Sequence, residues 1–320
     1  MGLQHAGILS ALLQKQVALC DVNKRLVRVA RRAVPNMKIY DDFSEMWEAE
    51  CLDTIFICTP PHSHIAAVER ALALHNGANI FVEKPLGVNH LEANNIVNRV
   101  KTSTGTRMVG FQKRFKPTFA KTKEYLTSGA LGDLTNYNAH VYSADVLRKA
   151  SGWKFERTTG GVSLDFGPHL IDLLLWYVGQ ASTFKSQKKS IYSNEVEDYI
   201  ICKTRYDSGI EGQIELCWSM EDYIPDEFLI HLEGEKGTIT VSDDYMVVNL
   251  KDEIPHSGLI SGTFYARDFP QYTPYLLAYP EYTIEDSYFI NCALSNLKCN
   301  PGFEDGAQVN KFIDEMLAAS

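Results

Sequence analysis

Two runs in this chain carry side chains able to move protons. Glu83-Lys84-Pro85 closes an apolar segment, and Asp165-Phe-Gly-Pro-His169 follows in the middle of the chain. Together they supply an amine, a carboxylate and an imidazole, the groups used in general acid–base chemistry. Proton transfer on an alcohol or carbonyl ordinarily needs a hydride partner, so the next question is whether the chain also offers a nicotinamide site.

The surrounding elements favour one. Short β-like runs alternate with helical periodicity in the N-terminal third: Val17 to Cys20 stops at Asp21, Thr54 to Cys58 at Thr59-Pro-Pro61, Ile80 to Val82 at Glu83, and Arg107 to Gly110 at Phe111-Gln112. Between them, Ser63 to His75 and Asn89 to Thr102 have the apolar spacing of helices. This alternation predicts four buried parallel strands in an α/β, Rossmann-like doubly wound sheet, which binds ligands at the carboxyl ends of its strands. Asp21, Thr59, Glu83, Lys84 and Gln112 fall at those ends.

From about Thr135 the pattern becomes strand after alternating strand, over Thr135 to Tyr142, Tyr199 to Tyr206, Ile210 to Trp218, Phe228 to Glu233, Thr238 to Val241 and Met246 to Leu250. This reads as an α+β domain with a largely antiparallel open sheet. One apolar helix, Leu164 to Val178, precedes most of it, and a last helix, Glu304 to Leu317, closes the chain. The tyrosine-rich stretch Pro255 to Tyr282 reads as a long loop or arm. We therefore expect a dinucleotide-binding domain over residues 1–112 and a substrate-binding and oligomerisation domain over residues 113–320.

Composition narrows the function. The 320 residues carry a formal charge of −9, which argues against general nucleic-acid or anionic-membrane binding. Seven cysteines, scattered and never spaced Cys-x-x-Cys, read as free thiols of a cytoplasmic protein rather than as disulfides or a zinc site. No stretch is apolar for long enough to span a bilayer.

Each candidate has a plainer reading. Asp21 could accept hydrogen bonds from an adenosine ribose and so favour NAD, or it could cap the next helix; nearby Lys24 and Arg25 leave NADP open. Glu83-Lys84-Pro85 could be an ordinary surface turn, with a cis Lys84–Pro85 bond as an option. Asp165, His169, Asp172 and Trp176 recur at helical spacings of three or four, which places them on one face. His169 and Asp172 could simply satisfy one another there. His-x-x-Asp could supply two metal ligands, but no third lies near in sequence, and we expect no metal.

The chain resembles the glucose-fructose oxidoreductase and inositol dehydrogenase family (Gfo/Idh/MocA). The resemblance is carried by Gly2-Leu-Gln-His5, Asp21, Thr59-Pro60-Pro61 with His64, Glu83-Lys84-Pro85-Leu86-Gly87, Val109-Gly110-Phe111-Gln112 with Arg114, Ser128-Gly129-Ala-Leu-Gly132, and Gly160 through Trp176. It implies Lys84, Asp165 and His169 as a catalytic trio, with His169 the acid/base on the reacting hydroxyl and Lys84 orienting it or relaying its proton. It also implies Gly2, Asp21, Thr59, Pro60, His64, Glu83, Lys84 and Gln112 as NAD contacts. Substrate contacts would come from Lys84, Arg114, Trp153, Asp165 and His169, while Asp172 supports the helix. Family members open with a strand and a Gly-x-Gly-x-x-Gly turn, whereas Met1 here directly precedes what resembles the third glycine, Gly2. An internal methionine taken as the start would explain that; a real truncation would weaken dinucleotide binding.

The expected function is NAD-dependent hydride transfer at a secondary hydroxyl of a cyclic polyol or sugar, such as inositol, a hexose, an amino sugar or a nucleotide sugar. A non-catalytic dinucleotide or sugar sensor and an NAD-assisted glycoside hydrolase are the alternatives. A homodimer or homotetramer through the antiparallel sheet is expected.

Overall fold

The computed structural model describes residues 1–14, 17–33, 37–252, 258–269 and 280–320. These form two compact units, one of residues 1–87, 91–110 and 271–305, the other of residues 88–90, 111–270 and 306–320. Each fold is the expected one, a Rossmann-like parallel sheet and a mostly antiparallel sheet. The first unit's N-terminal part gives way to the second at Gly110, but a late segment, described over residues 280–305, clusters with the first unit.

In the first unit, α1 (Gly2–Leu13) precedes β1 (Ala18–Cys20), α2 (Lys24–Ala33), β2 (Lys38–Tyr40), α3 (Phe43–Glu50), β3 (Thr54–Ile57), α4 (His64–Leu74), β4 (Asn79–Glu83), α5 (His90–Val100) and β5 (Arg107–Gly110). All pairings are parallel, but the strands lie in two sheets, β1–β2 and β3–β4–β5. The four strands expected are present. β2 joins them as a fifth, its three residues too few to show a period.

Helix α9 (Pro280–Ser295) explains why the late segment belongs here. Its Phe289 packs edge-on against Phe56 of β3 and Phe81 of β4, with ring centroids 5.2 and 5.6 Å away, and those two rings stack at 4.7 Å. The chain after α9 lies along β5, where Val109 donates its backbone N–H to Pro301 O at 3.4 Å and Thr106 Oγ1 donates to Leu297 O at 3.1 Å. An otherwise unpaired strand edge is thereby covered.

The second unit holds α6 (Pro117–Thr127), β6 (Leu134–Tyr142), α7 (Val162–Asp165), α8 (Gly167–Tyr177), β7 (Thr183–Lys189), β8 (Tyr199–Arg205), β9 (Glu211–Cys217), β10 (Glu227–Gly234), β11 (Gly237–Ser242), β12 (Tyr245–Leu250) and β13 (Gly262–Tyr265). The sheet order is β13-β12-β11-β10-β6-β9-β8-β7, antiparallel throughout except between β6 and β9. Alternate residues such as Ile200, Cys202 and Thr204 of β8, or Phe228, Ile230 and Leu232 of β10, are buried. The last helix, α10 (Phe303–Ala318), sets Phe312 edge-on to Phe184 of β7 at 4.9 Å.

Two expectations need correction. The single helix Leu164 to Val178 is two, α7 and α8, meeting at Phe166-Gly167-Pro168. Proline has no N–H to give to the carbonyl four residues back, so it starts a helix there instead of continuing one. Asp165 therefore ends one helix while His169 lies in the first turn of the next. The stretch read as a loop contains β13, paired with β12, and its end opens α9; residues 255–257 and 270–279 of it lie outside those described.

Candidate active site

In the first unit the carboxyl ends of the strands carry the expected residues. Asp21 follows β1 and accepts the Asn23 backbone N–H at 2.7 Å, while Asn23 Oδ1 accepts Arg25 N–H at 3.0 Å at the start of α2. Asn23 is thus the helix cap, and Asp21 shapes the turn ahead of it. Thr59 and Pro60, after β3, are exposed.

His64 is fully buried. Its Nε2 lies 2.9 Å from Thr59 O, and its Nδ1 lies 3.0 Å from Pro85 O and 3.2 Å from Leu86 O. The ring therefore ties the Thr-Pro loop to the Glu-Lys-Pro turn. Burial lowers its pKa, so the neutral form is favoured despite the surrounding carbonyls. Gly2 begins α1, and the Lys84–Pro85 peptide is cis.

Glu83, the last residue of β4, is buried. Burial alone would raise its pKa, but a hydrogen bond from His5 and the charge of Lys84 hold it below the usual carboxylate range. One carboxylate oxygen lies 2.9 Å from His5 Nε2, and the other accepts the Lys84 backbone N–H at 3.1 Å. His5 Nδ1 lies 2.8 Å from Asp286 Oδ1 of α9. Lys84 itself is half-buried.

In the second unit Asp165 is buried at the end of α7, and Lys154 Nζ donates to its Oδ2 at 2.6 Å. Lys154 also lies 5.8 Å from the ring centroid of Trp153, whose short 3-10 turn ends at Phe155. Two glycines make this arrangement fit. A Cβ on Gly160 would lie 2.0 Å from Lys154 O. At Gly161, with φ of 102°, it would lie 2.4 Å from Glu197 Oε1. That Glu197 oxygen accepts the Ser163 N–H at 3.0 Å, at the start of the helix that carries Asp165.

Asp198 secures the adjoining loop. Its Oδ2 accepts three consecutive backbone N–H groups, from Ile191, Tyr192 and Ser193, and its Oδ1 accepts Trp218 Nε1 at 2.5 Å.

His169 is half-buried in the first turn of α8. Gln112 is buried in the 3-10 turn after β5. Arg114, which the resemblance offers as a substrate contact, is buried and forms a two-pronged ion pair with Asp172. Its guanidinium also lies 5.3 Å from the Trp176 ring centroid. The pair ties the turn after β5 to α8.

Sequence reasoning passed over Lys154, Glu197, Asp198 and Asp286, and it quoted His5 without a role. Lys154 follows Trp153 directly, and the side-chain-free Gly160-Gly161 step ahead of Asp165 was its signal. Asp286 had none, because the partner that gives it meaning is at the other end of the chain. Among the described residues no cluster of three or more His, Cys, Asp or Glu could hold a metal ion, and no helix is long and apolar enough to cross a membrane.

Parallel strands alternating with helices, with polar side chains at the carboxyl ends of the strands, are the architecture in which α/β proteins bind ligands at those ends. Comparison agrees: residues 2–111 match the family model described as an oxidoreductase family with an NAD-binding Rossmann fold, and residues 119–240 match that of the GFO/IDH/MocA C-terminal domain. The chain belongs to the Gfo/Idh/MocA family of NAD-binding oxidoreductases.

Oxidoreductase P35 of Formosa agariphila is 28% identical over 200 residues, covering 60% of each chain. The scyllo-inositol 2-dehydrogenase (NAD(+)) of Bacillus subtilis is 28% identical over 207 residues, covering 63% of this chain and 59% of its own. The chain spans between 46% and 60% of the length of the first three curated relatives it matches. A solved levoglucosan dehydrogenase in complex with NADH and levoglucosan shares the fold, with a TM-score of 0.87 at 20% identity over 100% of this chain and 94% of that one.

Proposed function

We propose that this protein oxidises a secondary hydroxyl of a cyclic polyol or sugar to a ketone, with NAD as hydride acceptor. The observation that carries the reading is Lys84, half-buried at the carboxyl end of β4 in an NAD-binding Rossmann unit and fixed by Glu83 through its own backbone N–H. Relatives named scyllo-inositol 2-dehydrogenase and levoglucosan dehydrogenase support the substrate class.

The residues present fit a dinucleotide at several points. Asp21 would meet the adenosine ribose, the N-terminus of α1 the pyrophosphate, and Thr59, Pro60, Glu83 and Lys84 the nicotinamide end, while His64 and Gln112 support them. Bound NAD would supply the hydride acceptor. His169 takes the proton of the reacting hydroxyl, Lys84 orients that hydroxyl or relays its proton, and Asp165 holds the neighbouring hydroxyl. Lys154 holds Asp165 in place through their ion pair. Trp153 offers an apolar face to a sugar ring.

The test is a titration with NAD and NADP followed by tryptophan fluorescence, then a screen of inositols, hexoses, amino sugars and nucleotide sugars for NADH formation. Loss of turnover with retained NAD binding in Lys84→Met and His169→Asn is the expected result. Failure to bind either dinucleotide would sink the reading.

A further inference from the structure

We propose that His5 is a positioning residue for Lys84, acting through Glu83: its ring, held between the carboxylates of Glu83 and Asp286, fixes Glu83 so that the carboxylate's second oxygen sets the Lys84 backbone. The proposal rests on the reading of Lys84 as an acid–base group and adds a residue to it.

The contacts form an unbroken line within the first unit. Asp286 Oδ1 lies 2.8 Å from His5 Nδ1, His5 Nε2 lies 2.9 Å from Glu83 Oε1, and Glu83 Oε2 accepts Lys84 N–H at 3.1 Å. With both carboxyls ionised each ring nitrogen donates, which only the imidazolium does; burial works against this by raising the Asp286 pKa, and the hydrogen bond and charge of His5 draw it back down in part. Burial opposes that charge, but the two carboxylates overcome it and hold the His5 pKa at about 10.

The ring is 1% exposed and walled by Phe56, Phe81 and Tyr282, with ring centroids 5.5, 5.3 and 5.9 Å away. Water cannot substitute for the pairs there, so the ring can satisfy its two N–H groups only in this orientation. Glu285 of α9, Cys58 and the α-amino group of Met1 are further titratable groups nearby, and the Cys58 thiol is pushed up by burial and by Glu83.

Gly110 on the neighbouring strand leaves the room the line needs. A Cβ there would come within 2.9 Å of the Phe81 ring and 3.2 Å of Glu83 Oε2. Without the imidazolium, Glu83 would be a buried carboxylate whose nearest alternative cation is the ammonium of the next residue, Lys84. With His5 taking one Glu83 oxygen, the Lys84 charge is not the sole cation facing that carboxylate.

The experiment reads Lys84 without needing a substrate. Whole protein is labelled with a trace of acetic anhydride, and mass spectrometry gives the acetylation rate of Lys84 relative to exposed Lys101 in the wild type, His5→Gln and Asp286→Asn. The expected result is a change of about threefold or more in the relative rate of Lys84 in His5→Gln, and a smaller change in Asp286→Asn, which keeps a hydrogen bond to the ring. An unchanged rate in folded variants overturns the proposal.

Nitrogen NMR of the unaltered protein guards against variants that fail to fold: both His5 ring nitrogens should remain protonated at about pH 8, and a neutral ring overturns the proposal. The two readings separate cleanly. If Lys84→Met keeps turnover while His5→Gln still alters Lys84 acetylation, the acid–base role of Lys84 fails and the positioning by His5 stands.

Discussion

Arg114 and Asp172 meet as a two-pronged ion pair, Nε to Oδ2 at 2.8 Å and Nη2 to Oδ1 at 2.7 Å, with both side chains buried. Asp172 lies one turn beyond His169 on α8, so this pair fixes the helix that presents the imidazole. Breaking it strands a charge. Arg114→Ala should lose about 3–5 kcal/mol in urea unfolding, because the buried Asp172 charge loses its two-pronged arginine partner. The double change Arg114→Met with Asp172→Leu should recover most of that loss, and a double variant as unstable as the single one would show that the pair is not the cause.

Asp198 gathers three backbone N–H groups and the Trp218 indole on one carboxylate, and although burial opposes its ionisation these donors hold its pKa below the usual Asp range. Because the folded pKa is depressed, its contribution is present above the unfolded value of about 4 and is lost as pH falls through the folded one. Asp198→Asn turns an amide N–H₂ toward donors and should cost about 3 kcal/mol at neutral pH. The gap between wild type and variant should close in acid, and a gap that stays constant down to about pH 3 would refute the linkage.

Gly161→Ala should destabilise by about 2–4 kcal/mol, since the new Cβ meets the Glu197 carboxylate 2.4 Å away at a φ of 102°. The paired change Gly161→Ala with Glu197→Ala relieves the clash but not the backbone strain, and so should recover only part of the loss. Thermal unfolding of the three proteins measures both.

The His5 ring carries a pH signature of its own. Its folded pKa of about 10 lies above the ordinary value of 6.5, so the stability it contributes is complete below about 6.5 and is lost as pH rises through about 10. Unfolding free energy of the wild type should therefore fall by a few kcal/mol between those limits. In His5→Gln the fall should be smaller over the same range, leaving the part that the buried thiols with raised pKa contribute at its upper end; an equal fall in both proteins would assign it to other groups.

Light scattering at micromolar concentration tests the proposed homo-oligomer through the open sheet face, and a monomer there would refute it.

Local pattern determined much of this protein. Period-two runs gave six strands of the second unit to within a residue or two, because a half-buried strand must alternate. Apolar runs ending in Asp21, Thr59 and Glu83 gave the parallel strands and the end that carries chemistry, because strands buried on both faces read as continuous apolar segments. Tertiary structure decided the rest. Arg114 belongs to Asp172, 58 residues on, and His5 to Asp286, 281 residues on; such pairs form because burial forces each charge to find a partner, and no local spacing says which. The return of α9 to the first unit has the same origin, since Phe289 becomes core only when Phe56 and Phe81 offer it a surface.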